Sequence, residues 1–167
     1  MRVYRKGENM KNSGFTLVEL MVVIIMIGIL ATATIPSYHN KINRTKVEAS
    51  ESYVDVAIEG VEQFYKKTGK FPKNNSEAGL PESYKFVGNY ITALRVKDGV
   101  IHVTYGNKIS RQFDGFVISV RPAIVEGAPR IPIAWIYGNG SVPEKLTVVG
   151  ENLTTFPSDA MPFEYRY

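Results

Sequence analysis

Glu19 is the only charged residue between Phe15 and Ile35, a run of 21 residues otherwise built from Phe, Leu, Val, Ile, Met, Ala, Gly and Thr. A carboxylate placed deep in hydrocarbon costs about 2–3 kcal/mol even on lenient insertion scales, so its presence calls for a partner. Gly14 immediately precedes the run. Before it lies a polar, basic leader in which Arg2, Arg5, Lys6 and Lys11 outweigh Glu8, a net charge of +3. A cut between Gly14 and Phe15 creates a new amino terminus one helical turn from Glu19. An ammonium group, on the same chain or on a neighbouring copy, then gives the carboxylate an opposite charge to pair with in an apolar setting.

Nothing else in the chain assembles into a reactive set. His39 and His102 fall on different elements, and no His-Glu-x-x-His, phosphate loop or nucleophile elbow occurs. No enzymatic activity and no cofactor are expected. Asp114, Glu151, Asp159 and Glu164 are oxygen donors of the kind calcium takes, but they lack EF-hand spacing, so no metal is assigned. Lys108, Arg111, Arg121 and Arg130 offer a basic strip for DNA, yet without an aromatic stacking pattern they read as scattered solvated charges. The chain has no cysteine, which excludes disulfides and thiolate metal sites.

The elements that carry Glu19 follow from length and patterning. The chain has 167 residues, 44% hydrophobic and 22% charged, with a net charge of +4 that resides mostly in the leader; the basicity is weak evidence for a nucleic-acid partner. The apolar run is roughly 32 Å long as a helix, which matches a hydrocarbon core of about 30 Å. The positive leader then stays cytoplasmic and the remainder lies outside. A secretory signal peptide cut near Ala31-Thr32-Ala33 is the competing reading. Against it, the helical pattern continues past the run, with Tyr38, Ile42, Tyr53, Val56, Ala57, Val61 and Phe64 near helical spacing. Lys66 and Lys67 suit the negative end of a helix, and Gly69 and Pro72 mark its stop. One helix over 15–68, about 80 Å long, is expected, with Pro36 as a kink point.

Residues 73–88 read as a loop. Tyr90–Val96 and Val100–Tyr105 flank an Asp-Gly hairpin turn, and Phe116–Val120 and Ile133–Tyr137 follow, all rich in β-branched and aromatic residues. The expected fold class is α+β: a long N-terminal helix, apolar then amphipathic, packed on an antiparallel sheet of about four strands.

Gly14-Phe15-Thr16-Leu17-Val18-Glu19-Leu20-Met21-Val22-Val23 resembles the N-terminal motif of type IV pilins and their relatives. The family's helix glycine and proline fall on Gly28 and Pro36. Tyr65-Lys66-Lys67-Thr68-Gly69-Lys70-Phe71-Pro72 is similar to the end of the pilin helix. The succession Ile101 to Gly106, Phe116 to Pro122 and Ala134 to Tyr137 is similar to the type IVa sheet. Tyr137 stands where that pattern has the first Cys of Trp-x-Cys, and no second Cys exists, so residues 138–167 must be held by other means. Leu146, Val148, Val149, Leu153, Phe156, Met161 and Phe163 are the apolar candidates.

The resemblance implies a leader over 1–14 and a helix over 15–68 whose first part, 15–35, lies in the membrane or the fibre core. A globular head over 69–167, joined by the second half of the helix, completes the pilin fold. It also implies cleavage after Gly14 by prepilin peptidase, N-methylation of Phe15, and an assembly role for Glu19. Gly28 and Pro36 are implied in helix packing and kinking. The implied partners are other copies of the chain in a fibre, the peptidase, the inner-membrane pilus assembly machinery and, before assembly, membrane lipid; DNA is a partner the residues do not support. The expected function is that of a pilus subunit serving adhesion, motility or DNA uptake, first in the inner membrane with the head periplasmic and then on the cell surface. The alternatives are a type II secretion pseudopilin and a membrane-anchored extracytoplasmic binding domain.

Overall fold

The computed structural model describes residues 14–128 and 131–165, except for the side chains of residues 33–40 and of Glu164. Apart from Gly14, the expected leader lies outside the described residues. The chain falls into two units, Met1–Ser37 and Tyr38–Tyr167.

The first unit holds the start of helix α1, Leu17–Glu48. Its large apolar side chains face outward all round: Leu17, Ile24, Ile27 and Leu30 are between 57% and 76% exposed.

In the second unit, α1 ends at Glu48, and α2 runs over Glu51–Thr68. Where one helix was expected, a turn at Ala49–Ser50 interrupts it. The Ser50 hydroxyl donates to the Val47 carbonyl at 2.6 Å, and the Ser50 N–H bonds the same carbonyl at 3.0 Å. Serine thereby offers the backbone a tight local alternative to the helical ladder. The buried helix stripe is Asn43, Val47, Ser50, Val54, Ala57 and Val61. The expected stripe is corrected at Ile42 and Val56, which are exposed. Two of the true core positions are polar, so a search for apolar periodicity passes over them. Gly69 ends α2 in the left-handed conformation, its N–H bonding the Tyr65 carbonyl.

Among the described residues five strands form one antiparallel sheet: β1 Ile91–Lys97, β2 Val100–Tyr105, β3 Val117–Ile124, β4 Ala134–Tyr137 and the short β5 Thr147–Val148. The order is β1-β2-β3-β4, with β5 also pairing β3. Asp98 and Gly99, with φ of 48° and 84°, make the β1–β2 turn, matching the twist of the strands they join. Strand β3 runs beyond its expected end, through Pro122, which has no N–H to give but accepts from Val149 N–H at 2.8 Å. Side chains alternate across the sheet. Leu94, Val103 and Ile118 form one cross-strand row, and Val96, Ile101 and Val120 the next, both buried in the core with the helix stripe. The opposite face carries Arg95, His102 and Ser119 in register.

The C-terminal segment closes the fold without cysteine. The Tyr137 ring stacks on Tyr165, with centroids 4.3 Å apart and planes 15° apart. The Tyr165 hydroxyl donates to Glu51 Oε1 at 2.8 Å. Arg44 donates to the Asp159 carbonyl, and Phe156 enters a cluster with Tyr105, Phe113 and Phe116. Of the apolar candidates, Phe156 and Met161 are buried, whereas Leu153 and Phe163 are exposed at 40% and 71%.

Candidate functional site

The start of α1 is built by four neighbouring residues. Thr16 N–H and Thr16 Oγ1 both donate to Glu19 Oε2, at 2.9 and 2.8 Å, and Glu19 N–H returns a bond to Thr16 Oγ1 at 3.3 Å. This reciprocal arrangement is a capping box: a Thr at the cap and an acid three residues on satisfy donors that the first turn leaves open. Glu19 is therefore held at the N-terminal end of the helix, four residues after Phe15 and the Gly14–Phe15 bond. Phe15 is 83% exposed, so the bond beside it is open to another macromolecule.

The two glycines of the motif have no reason within the described chain to be glycine. A methyl group built on Gly14 or Gly28 meets no atom within 4 Å. Pro36 sits within α1, but its side chain lies outside the described residues, and with it the expected kink. Among the described residues no helix is long and apolar enough to cross a membrane. The described side chains of this stretch stop at Thr32, short of the run's end at Ile35.

The other candidate residues do not converge. Lys108 Nζ donates to Asn89 Oδ1 at 2.9 Å, and Arg111 is exposed. Arg121 is half-buried and donates to the Gly138 carbonyl; burial lowers its pKa, and its Nε finds no partner among the described residues. Arg130 lies outside the described residues. Among those described, no group of acids and histidines is placed to hold a metal ion, and the Glu164 side chain lies outside them. The His39 side chain does too. His102 is a buried strand residue with Nδ1 3.0 Å from Ser119 Oγ. Burial, reinforced by nearby Lys97 and Arg95, depresses its pKa. Sequence reasoning missed Thr16 as the partner of Glu19, although the Thr-x-x-Glu spacing could have revealed it.

Comparison with known proteins points the same way. Residues 9–35 match the family described as the prokaryotic N-terminal methylation motif. The chain is 30% identical over 131 residues to a fimbrial protein of Neisseria meningitidis, a match covering 78% of this chain and 75% of that protein. It is 29% identical over 131 residues to the type IV major pilin protein PilE of Neisseria gonorrhoeae, covering 78% and 76%. A fimbrial protein of Pseudomonas aeruginosa is 34% identical over 121 residues, covering 64% and 77%.

Proposed function

The chain belongs to the type IV pilins, and we propose on that premise that Glu19 pairs with the Phe15 amine of a neighbouring copy to set the stagger of a pilus. The protein is a structural subunit of that fibre. Prepilin peptidase cuts the Gly14–Phe15 bond and methylates the Phe15 amine. Before assembly the apolar part of α1 lies in the inner membrane, with the leader cytoplasmic and the second unit periplasmic; the pilus assembly machinery then draws it into the fibre.

The observation that supports this reading is the first part of α1, apolar on all sides and exposed over its described side chains to Thr32, with one carboxylate at its head. Such a surface needs lipid or other copies of itself around it. Moving from lipid into a bundle of like helices exchanges one apolar environment for another, so apolar contact alone sets no register. An unpaired charge in that setting is heavily penalised. Head-to-tail contacts that do not close then extend into a filament. The relatives named above are fimbrial proteins and a major pilin, which favours the pilus over the secretion pseudopilin.

Intact-mass analysis of the protein recovered from surface filaments tests the reading. The expected species begins at Phe15 and carries one added methyl group. A chain that keeps residues 1–14, or that begins near Ala33, overturns it.

A further inference from the structure

The outer face of the sheet carries a basic cleft that the fibre reading does not use. It occupies about 740 Å³ between β1 and the loop over residues 73–85, within the range of about 300–1,000 Å³ typical of ligand pockets. Lys73, Lys85, Arg95 and Lys97 line it, and Glu82 is the one acid among the lining residues. Glu82 is already engaged by the Tyr84 hydroxyl and by Lys85 at 3.3 Å. The side chains of Arg95 and Lys73 make no hydrogen bond or ion pair with the described residues. Lys97 reaches Glu151 only at 3.9 Å. Alternation along β1 puts Arg95 and Lys97 on one face, roughly 6–7 Å apart. A second hollow of about 230 Å³ shares Ser83, Arg95 and Lys97 with the first and adds His102, Val117 and Leu153.

Three features decide what the cleft can take. First, an extended peptide cannot add to the β1 edge. The buried Asn75 amide occupies it, accepting from Val96 N–H at 2.7 Å and donating to the Leu94 carbonyl at 3.0 Å. Second, no Phe, Tyr or Trp lines either hollow, and the one imidazole there, His102, is buried against Ser119, so unstacked bases find no platform of the kind single-stranded nucleic acids use. Third, hydroxyl and amide groups stand beside small apolar surfaces at Ala93, Val117 and Leu153. Sugar rings, with hydroxyl edges and C–H faces, fit that mixture. We propose that this cleft binds an acidic oligosaccharide through an ester oxyanion, sulfate or phosphate, held between Arg95 and Lys97.

The test uses the full chain in a non-ionic detergent, with the His102 ring followed by NMR. His102 is neighboured by Arg95, Lys97 and Glu151, so an anion seated between the two cations raises its pKa. The probes are a heparin-derived hexasaccharide, a phosphorylated oligomannose, the chemically desulfated hexasaccharide and a six-nucleotide thymidylate. One or both of the first two are expected to bind and move His102, which identifies the ester; the other two are expected to bind at least about tenfold more weakly. Arg95→Gln with Lys97→Gln should lower affinity about tenfold or more, as expected for losing a charge-assisted hydrogen bond. Lys41→Gln with Lys67→Gln removes equal charge from exposed helix positions and should leave affinity unchanged. Equal losses in the two variants, tight binding by the desulfated probe, binding that leaves His102 unmoved, or a thymidylate matching the acidic sugars would each overturn the proposal.

Discussion

Tyr137 and Tyr165 lie face to face at 4.3 Å, joining β4 to the C-terminal turn. The pair is tied onward to the helix, because the Tyr165 hydroxyl reaches Glu51. Burial and the neighbouring Glu51 carboxylate push the Tyr165 pKa well above its usual value, so the hydroxyl stays a donor across the working pH range.

Tyr165→Phe should keep the stack and lose the bond to Glu51, costing about 1 kcal/mol. Tyr165→Ala should cost about 3 kcal/mol or more, since it also empties a buried aromatic site. Chemical denaturation of the two variants checks both values. Neither midpoint should respond to reductant, and a Tyr165→Ala protein as stable as the parent would refute the closure role.

Asn75 joins the 73–85 loop to the edge of the sheet, bonding Val96 N–H and the Leu94 and Pro81 carbonyls. Asn75→Ala leaves buried backbone groups on β1 without partners, and an expected loss of about 2–3 kcal/mol follows. It also bares an edge strand, so self-association should rise. Thermal melts with light scattering read both effects; an unchanged melt would show that water replaces the amide at no cost.

His102 supplies a pH dependence. Its folded pKa lies below the ordinary 6.5, so the unfolded chain binds the proton more readily. Stability is therefore complete above about pH 6.5 and falls as pH drops from there toward the folded pKa. His102→Gln should flatten stability across that window relative to the parent. An identical pH profile in the variant would assign the dependence to other groups.

Glu19→Ala and Thr16→Ala separate two roles of one carboxylate. Both break the capping box, at about 1 kcal/mol of helix stability. Only the first removes the charge proposed to pair with an amine. Glu19→Ala should leave leader removal intact and abolish fibres, whereas Thr16→Ala should still form them. Electron microscopy of surface filaments, with mass analysis of the subunit, distinguishes the outcomes. Fibres of normal appearance from Glu19→Ala would end the register argument.

What was legible in the sequence is what nearest neighbours along the chain decide. The apolar run, the lone Glu19, the Gly69 stop, the Asp98-Gly99 turn and the β-branched strands declare themselves because backbone propensity and solvent exclusion act over a few residues. The tertiary structure alone decided which polar residues go inside. Asn43 is buried because Ser110, distant in sequence, donates to it at 2.8 Å, and Ser50 because it turns back on Val47 and lies 3.4 Å from the Tyr105 hydroxyl. Asn75 on the strand edge and Tyr137 against Tyr165 belong to the same class. A polar group is admitted to a core only where its partner waits, and the partner's position is a property of the fold, not of the local run.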